Sequence, residues 1–98
     1  MIAGAYARAD GPLVETIVLN TNGMFDQTVT YSDGQSFKVS DRWTNRYHQV
    51  KFTRLYITRD VEASKVLSPP ELLYYVNFVW EEGVLAHTPE QGYLLRRK

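Results

Sequence analysis

Four polar residues could do chemistry here because they fall in phase with apolar positions on strand-like segments: Glu15, Gln27, Asp41 and Arg54. A charge carried inward is costly unless it is paired. Such groups therefore close an internal network, sit at an open barrel end, or act as polar anchors in a ring-lined pocket. The last arrangement is the usual make-up of a small-ligand site. It would use Gln27, Asp41 and Arg54 to orient the ligand and Trp43, Phe52, Tyr56 and Trp80 as the wall.

Other chemistry finds no pattern. His48 and His87 have no partner at metal-pair spacing and read as surface or packing residues. No Gly-x-Ser-x-Gly elbow, phosphate-binding glycine loop, dinucleotide fingerprint or His-Glu-x-x-His is present. Glu81-Glu82 precedes Gly83 and reads as a solvated turn. The absence of cysteine excludes a disulfide framework and a thiolate metal site. No catalytic residue, metal or cofactor is expected. The run Arg42, Trp43, Arg46, Tyr47, Lys51, Arg54, Tyr56, Arg59 has the residue types of a nucleic-acid surface. Strand alternation separates Arg42 from Trp43, and the net charge is zero, so nucleic acid is disfavoured.

Turn signals recur along the chain at Asp10-Gly11-Pro12, Asn20-Thr21-Asn22-Gly23, Ser32-Asp33-Gly34 and Thr44-Asn45-Arg46. Asn and Asp before Gly tolerate the positive φ of tight hairpins. Strands are expected over 3–8, 13–20, 24–31, 36–43, 48–58, 74–80, 84–88 and 91–97. Eight short strands fit a small closed barrel. The aromatic fraction of 13% points the same way.

A slip of one residue would turn every side chain over, so matching faces tests the register. Leu19 against Phe25 and Glu15 against Val29 place Gly23 where a hairpin wants a left-handed residue. Val29 against Val39 then sets Phe25 against Trp43 and Gln27 against Asp41. Trp43 against His48 sets Val39 against Phe52. One face collects Leu19, Phe25, Val29, Tyr31, Phe37, Val39, Trp43, Val50 and Phe52. Ser68-Pro69-Pro70-Glu71 has the capping signature of a short helical turn over about 69–73. Tyr74 to Trp80 carries aromatics on both faces, so that strand is expected to be covered on both sides.

Charge is unevenly spread. Residues 36–59 hold six cations against Asp41, and residues 60–95 hold Lys65 against six carboxylates. The plain expectation is that the two stretches neighbour and neutralise each other; the alternative is a basic face for an anionic partner. Ninety-eight residues make one domain, 1–98. No basic segment followed by an apolar run opens the chain, and no stretch reaches the ~20 apolar residues of a membrane helix. A cytoplasmic location is expected, although a chain trimmed of its leader would read the same.

The stretch Glu15-Thr16-Ile17-Val18-Leu19-Asn20, Asn22-Gly23-Met24-Phe25, Asp33-Gly34 and Trp43, with Gly4-Ala5-Tyr6 before it, resembles small lipocalin-like or calycin-like bacterial proteins over residues 4–57. The resemblance implies a β-barrel. The expectation is an all-β antiparallel meander curled into a roughly eight-stranded barrel. It would be a non-catalytic domain holding a small apolar or amphipathic ligand, or alternatively a protein-interaction module or homodimer using a sheet face or edge.

Overall fold

A computed structural model describes residues 1–98, the side chain of Gln91 excepted. The chain forms β1 (Gly4–Asp10), β2 (Leu13–Leu19), β3 (Met24–Tyr31), β4 (Ser36–Arg46), β5 (Gln49–Asp60), β6 (Lys65–Glu81), β7 (Val84–Thr88) and β8 (Tyr93–Arg97), with a 3-10 turn at Pro89–Gln91. Each strand pairs antiparallel with the next and β8 returns to β1, closing an eight-stranded barrel. Closure removes the sheet edges that an open meander would expose. Among the described residues no helix is long and apolar enough to cross a membrane.

Alternation builds the interior. Along β2, Leu13, Glu15, Ile17 and Leu19 are buried; along β3, Phe25, Gln27, Val29 and Tyr31 are. One apolar cluster holds Phe25, Phe52, Phe78, Tyr93 and their neighbours, and a smaller one holds Leu13, Val29 and Tyr31. Glu15 and Gln27 fall between them, two residues from each cluster on β2 and β3. The main cluster carries rings edge-to-face, with centroids 5.0 Å apart for Phe25–Phe52, 5.3 Å for Phe52–Phe78 and 6.0 Å for Phe78–Tyr93. That geometry sets the positive ring edge on the negative face.

The β2–β3 register is as expected, with Leu19 facing Phe25 and Glu15 facing Val29. Gly23 has φ 83°, and the Asn22 side chain accepts a hydrogen bond from the Met24 amide at 3.0 Å. The next two registers differ from expectation. Gln27 faces Val39 and Phe25 faces Asp41, a slip of two residues. Trp43 faces Phe52, because the hairpin closes on a two-residue Tyr47–His48 loop between Arg46 and Gln49. Even slips leave each side chain on its original face, so the apolar inward set survives while its cross-strand partners change. Arg54, expected inward with Val50 and Phe52, is instead 40% exposed at the side chain, because β5 changes phase after Phe52 and buries Leu55.

The helical turn expected over 69–73 is replaced by strand. Glu71, Leu72 and Leu73 pair with Ile57, Tyr56 and Leu55. Ser68 and Pro69 each precede a proline, which biases them out of the helical region. The ladder shifts between Ile57 and Arg59, leaving 67–70 without partners on β5. Residues lacking an N–H belong in such a lapse. The middle of β6 also departs from expectation. Tyr75 has φ 55°, and with this irregularity both Tyr74 and Tyr75 are exposed rather than covered.

Candidate functional site

Four of the seven residues read as a ligand pocket come together, but on a seam in the wall. β4 pairs with β3 through Arg42 and with β5 only from Trp43 onward. Below Trp43–Phe52 the two strands part, and side chains lace the gap. The Thr53 hydroxyl lies 3.2 Å from both the amide nitrogen and the carbonyl oxygen of Arg42. Arg54 Nε donates to Asp41 Oδ2 at 2.7 Å. Gln27 Nε2 donates to the Tyr56 carbonyl at 2.9 Å, and Gln27 Oε1 accepts from the Tyr56 amide at 2.8 Å. The amide side chain thus stands in for the missing strand. The Tyr56 ring packs on Phe37 at 5.8 Å.

The other three lie apart from that seam interior. Phe52 is in the core between Phe25 and Phe78. Trp43 Nε1 donates to the Asn20 carbonyl at 2.9 Å, tying β4 to the β2–β3 turn. Trp80 Nε1 donates to the Tyr6 hydroxyl at 2.7 Å on another part of the barrel.

Behind the seam lies a buried polar network. Glu15 Oε2 accepts from Gln27 Nε2 and Oε1 accepts from the Thr58 hydroxyl, both at 2.9 Å. The Tyr93 hydroxyl accepts from the Thr58 amide at 3.1 Å. Arg8, the cross-strand neighbour of Glu15, places Nε 3.8 Å from Glu15 Oε1 and its guanidinium 4.6 Å over the Tyr93 ring. Burial raises the Glu15 pKa, opposed by the Thr58 and Gln27 hydrogen bonds and by Arg8. Burial, reinforced by the nearby Glu15 charge, also raises that of Tyr93. His87 packs at a tilt against Phe78 and Tyr93, each with ring centroids 5.2 Å away, and burial lowers its pKa. His48 is exposed, with Nδ1 3.2 Å from the Trp80 carbonyl. Among the described residues no group of three or more His, Cys, Asp or Glu is placed to hold a metal. In sequence Arg8, Thr58 and Tyr93 gave no signal beyond strand phase.

The most exposed chemistry is on the outer wall of β4–β6. Tyr47, Tyr74, Tyr75 and Val79 are 84%, 64%, 71% and 47% exposed. Arg42, Thr44, Arg46, Gln49, Lys51 and Asn77 are exposed beside them. The expected neutralisation does not occur along this wall. β5 and β6 do pair, but Lys51 faces Asn77, Gln49 faces Val79 and Arg54 faces Tyr74. The β6 carboxylates Glu71 and Glu81 lie at its two ends. Among the described residues Arg42, Arg46 and Lys51 form no ion pair, and Arg54 pairs with Asp41 alone.

Two of these tyrosines occupy backbone positions that suit glycine. Tyr47 has φ 57° at the first loop position of a two-residue hairpin, and Tyr75 has φ 55° within β6. A left-handed non-glycine residue costs roughly 1–2 kcal/mol. Rings this exposed recover little of that by burial. In sequence the Tyr74-Tyr75 doublet points to a strand covered on both sides, so this exposed face is missed. Compared with protein-family models, with curated proteins and with solved structures, the chain matches none.

Proposed function

We propose that this barrel is an interaction module that presents the outer wall of β4–β6 to a protein partner bearing acidic groups around apolar spots. The observation that supports it most is the pair of exposed tyrosines, Tyr47 and Tyr75, kept at left-handed positions where glycine would be less strained. Four strand positions of about 3.3 Å separate Gln49, beside the Tyr47 loop, from Thr53, level with Tyr75, so the strip is about 13 Å long. Tyrosine and arginine are the residue types that dominate binding hot spots. Arg42, Arg46 and Lys51 supply a field that steers an acidic partner. The wall carries Arg42, Arg46 and Lys51 without a carboxylate among them, so an acidic partner complements it better than a second copy of the same basic wall does. The interior reading has less support, because rings occupy the core and Gln27, Asp41 and Arg54 already hold the seam.

The test places a photo-crosslinking residue at Tyr75, at Val79 and, on another strand, at exposed Val14, with the protein in its own cells. A discrete adduct at Tyr75 and Val79 that is absent at Val14, and lost when Arg46 and Lys51 are reversed to Glu, supports the wall. No discrete adduct at Tyr75, or the same adducts at all three positions, overturns it. Tight binding of single-stranded oligonucleotides in fluorescence anisotropy, abolished by the same reversals, would replace the protein partner with nucleic acid.

A further inference from the structure

β8 pairs with β1 only at Tyr6–Arg97 and Ala7–Arg96. Beyond those pairs the wall opens into a cleft of about 390 Å3. Three strands each contribute an arginine to its lining: Arg8 from β1, Arg59 from β5 and Arg96 from β8. Among the described residues the one carboxylate in the lining is Asp10. Its Oδ2 accepts from Arg8 Nη2 and, at 2.8 Å, from Arg59 Nη1. Arg59 Nη2 also lies 3.3 Å from the Ser64 hydroxyl.

Arg8 is the built part of this site. It is only 9% exposed, and its Nε is buried without a hydrogen-bond partner among the described residues. The 3.8 Å separation from Glu15 is too long for a hydrogen bond. Burial of Glu15 also disfavours the charge that would offset Arg8. Among the described residues Arg96 makes no ion pair. One carboxylate therefore faces three guanidiniums in a partly desolvated cleft, an arrangement that is unfavourable until an anion completes it.

We infer that the β1–β8 cleft binds a small dianion of the phosphate type, free or as a monoester, between Arg59 and Arg96 and against the fixed Arg8–Asp10 pair. Guanidinium forks match the oxygens of a tetrahedral anion two at a time. Ala7, Ala9 and Leu94 give the cleft an apolar side against which the body of an ester can lie. This site is independent of the outer wall of β4–β6, and neither reading needs the other.

The experiment is an amide-resolved NMR titration with inorganic phosphate, ionic strength being held with chloride, followed by phenyl phosphate and by acetate. Arg8 also belongs to the core network, so the variants are Arg96→Gln and Arg59→Gln, with Lys38→Gln as a control on exposed β4. Saturable shifts at residues 7–10, 59 and 92–96 are expected. Each cleft variant should weaken phosphate by about tenfold or more, as loss of a charge-assisted fork requires. The control should leave it unchanged. Tighter binding of phenyl phosphate would mark the ester as the natural form, and equal or weaker binding the free anion. Unsaturable drift in the wild type, an unchanged affinity in both cleft variants, or an equal loss in the control overturns the site. Acetate binding as tightly as phosphate overturns the dianion class.

Discussion

Replacing Gln27 with leucine keeps most of the side-chain volume and deletes the amide that substitutes for a strand. Three groups lose their partner: the Tyr56 amide at 2.8 Å, the Tyr56 carbonyl at 2.9 Å and Glu15 Oε2 at 2.9 Å. An unsatisfied buried polar group costs roughly 1–3 kcal/mol. Tyr56 is half-buried and recovers part of its share from water, so about 4 kcal/mol is lost in all. Burying a leucine in place of the amide returns about 2 kcal/mol. The net expectation is a destabilisation of about 2 kcal/mol, a sizeable part of the 5–15 kcal/mol a domain of this kind has. Urea unfolding followed by circular dichroism measures the difference, with an unchanged slope showing that the folded and unfolded states are otherwise alike. Hydrogen exchange supplies the local readout, because the Tyr56 amide should lose protection while Phe52 and Leu55 keep theirs. A loss below about 0.5 kcal/mol with Tyr56 still protected would mean that the seam is held by something else.

Other consequences can be checked alongside. Tyr75→Gly relieves a left-handed tyrosine at some cost in chain entropy, so stability should stay level or rise by up to about 1 kcal/mol; a loss larger than that in thermal unfolding would show that the ring packs in the fold. Phe52→Ala removes a ring wedged between Phe25 and Phe78 and should cost about 3–5 kcal/mol by urea unfolding. Because burial raises the folded-state pKa of Glu15 above its ordinary 4.5, the folded chain binds a proton that the unfolded chain has released. Glu15 therefore contributes stability below pH 4.5 that is lost as pH rises through the raised value. The difference in unfolding free energy between wild type and Glu15→Gln, measured from pH 4 to 8, should fall across that window, and a flat difference would refute the shift.

How much was legible follows from the period of a strand. Sidedness has period two, so Phe25, Val29, Val39, Val50 and Phe52 could be assigned to one face from residue type alone, and all five are buried. Pairing carries no such signature. Asn-Gly after Leu19 fixed the first hairpin, whereas the Tyr47–His48 turn lacks glycine, and the expected loop over 44–47 set the β4–β5 register wrongly. The proline pair misled differently, because the sequence of a helix cap is also that of a chain held off its neighbour, and only the β5 ladder decides which forms.

The same even slips explain why the site could not be read. A two-residue shift keeps Gln27 buried and Asp41 in phase with it at the rim but moves their partners by about 7 Å. Gln27 therefore meets the Tyr56 backbone and Glu15 instead of Asp41, and Asp41 meets Arg54 at the rim. Arg8, Thr58 and Tyr93 lie on strands far apart in sequence, so only barrel closure could reveal that they share one network. Closure also places the exposed tyrosines and the arginine cleft on surfaces that strand alternation describes merely as outward. The fold rests on which way side chains point, which a single strand records; recognition rests on which side chains meet, which only the assembled barrel records.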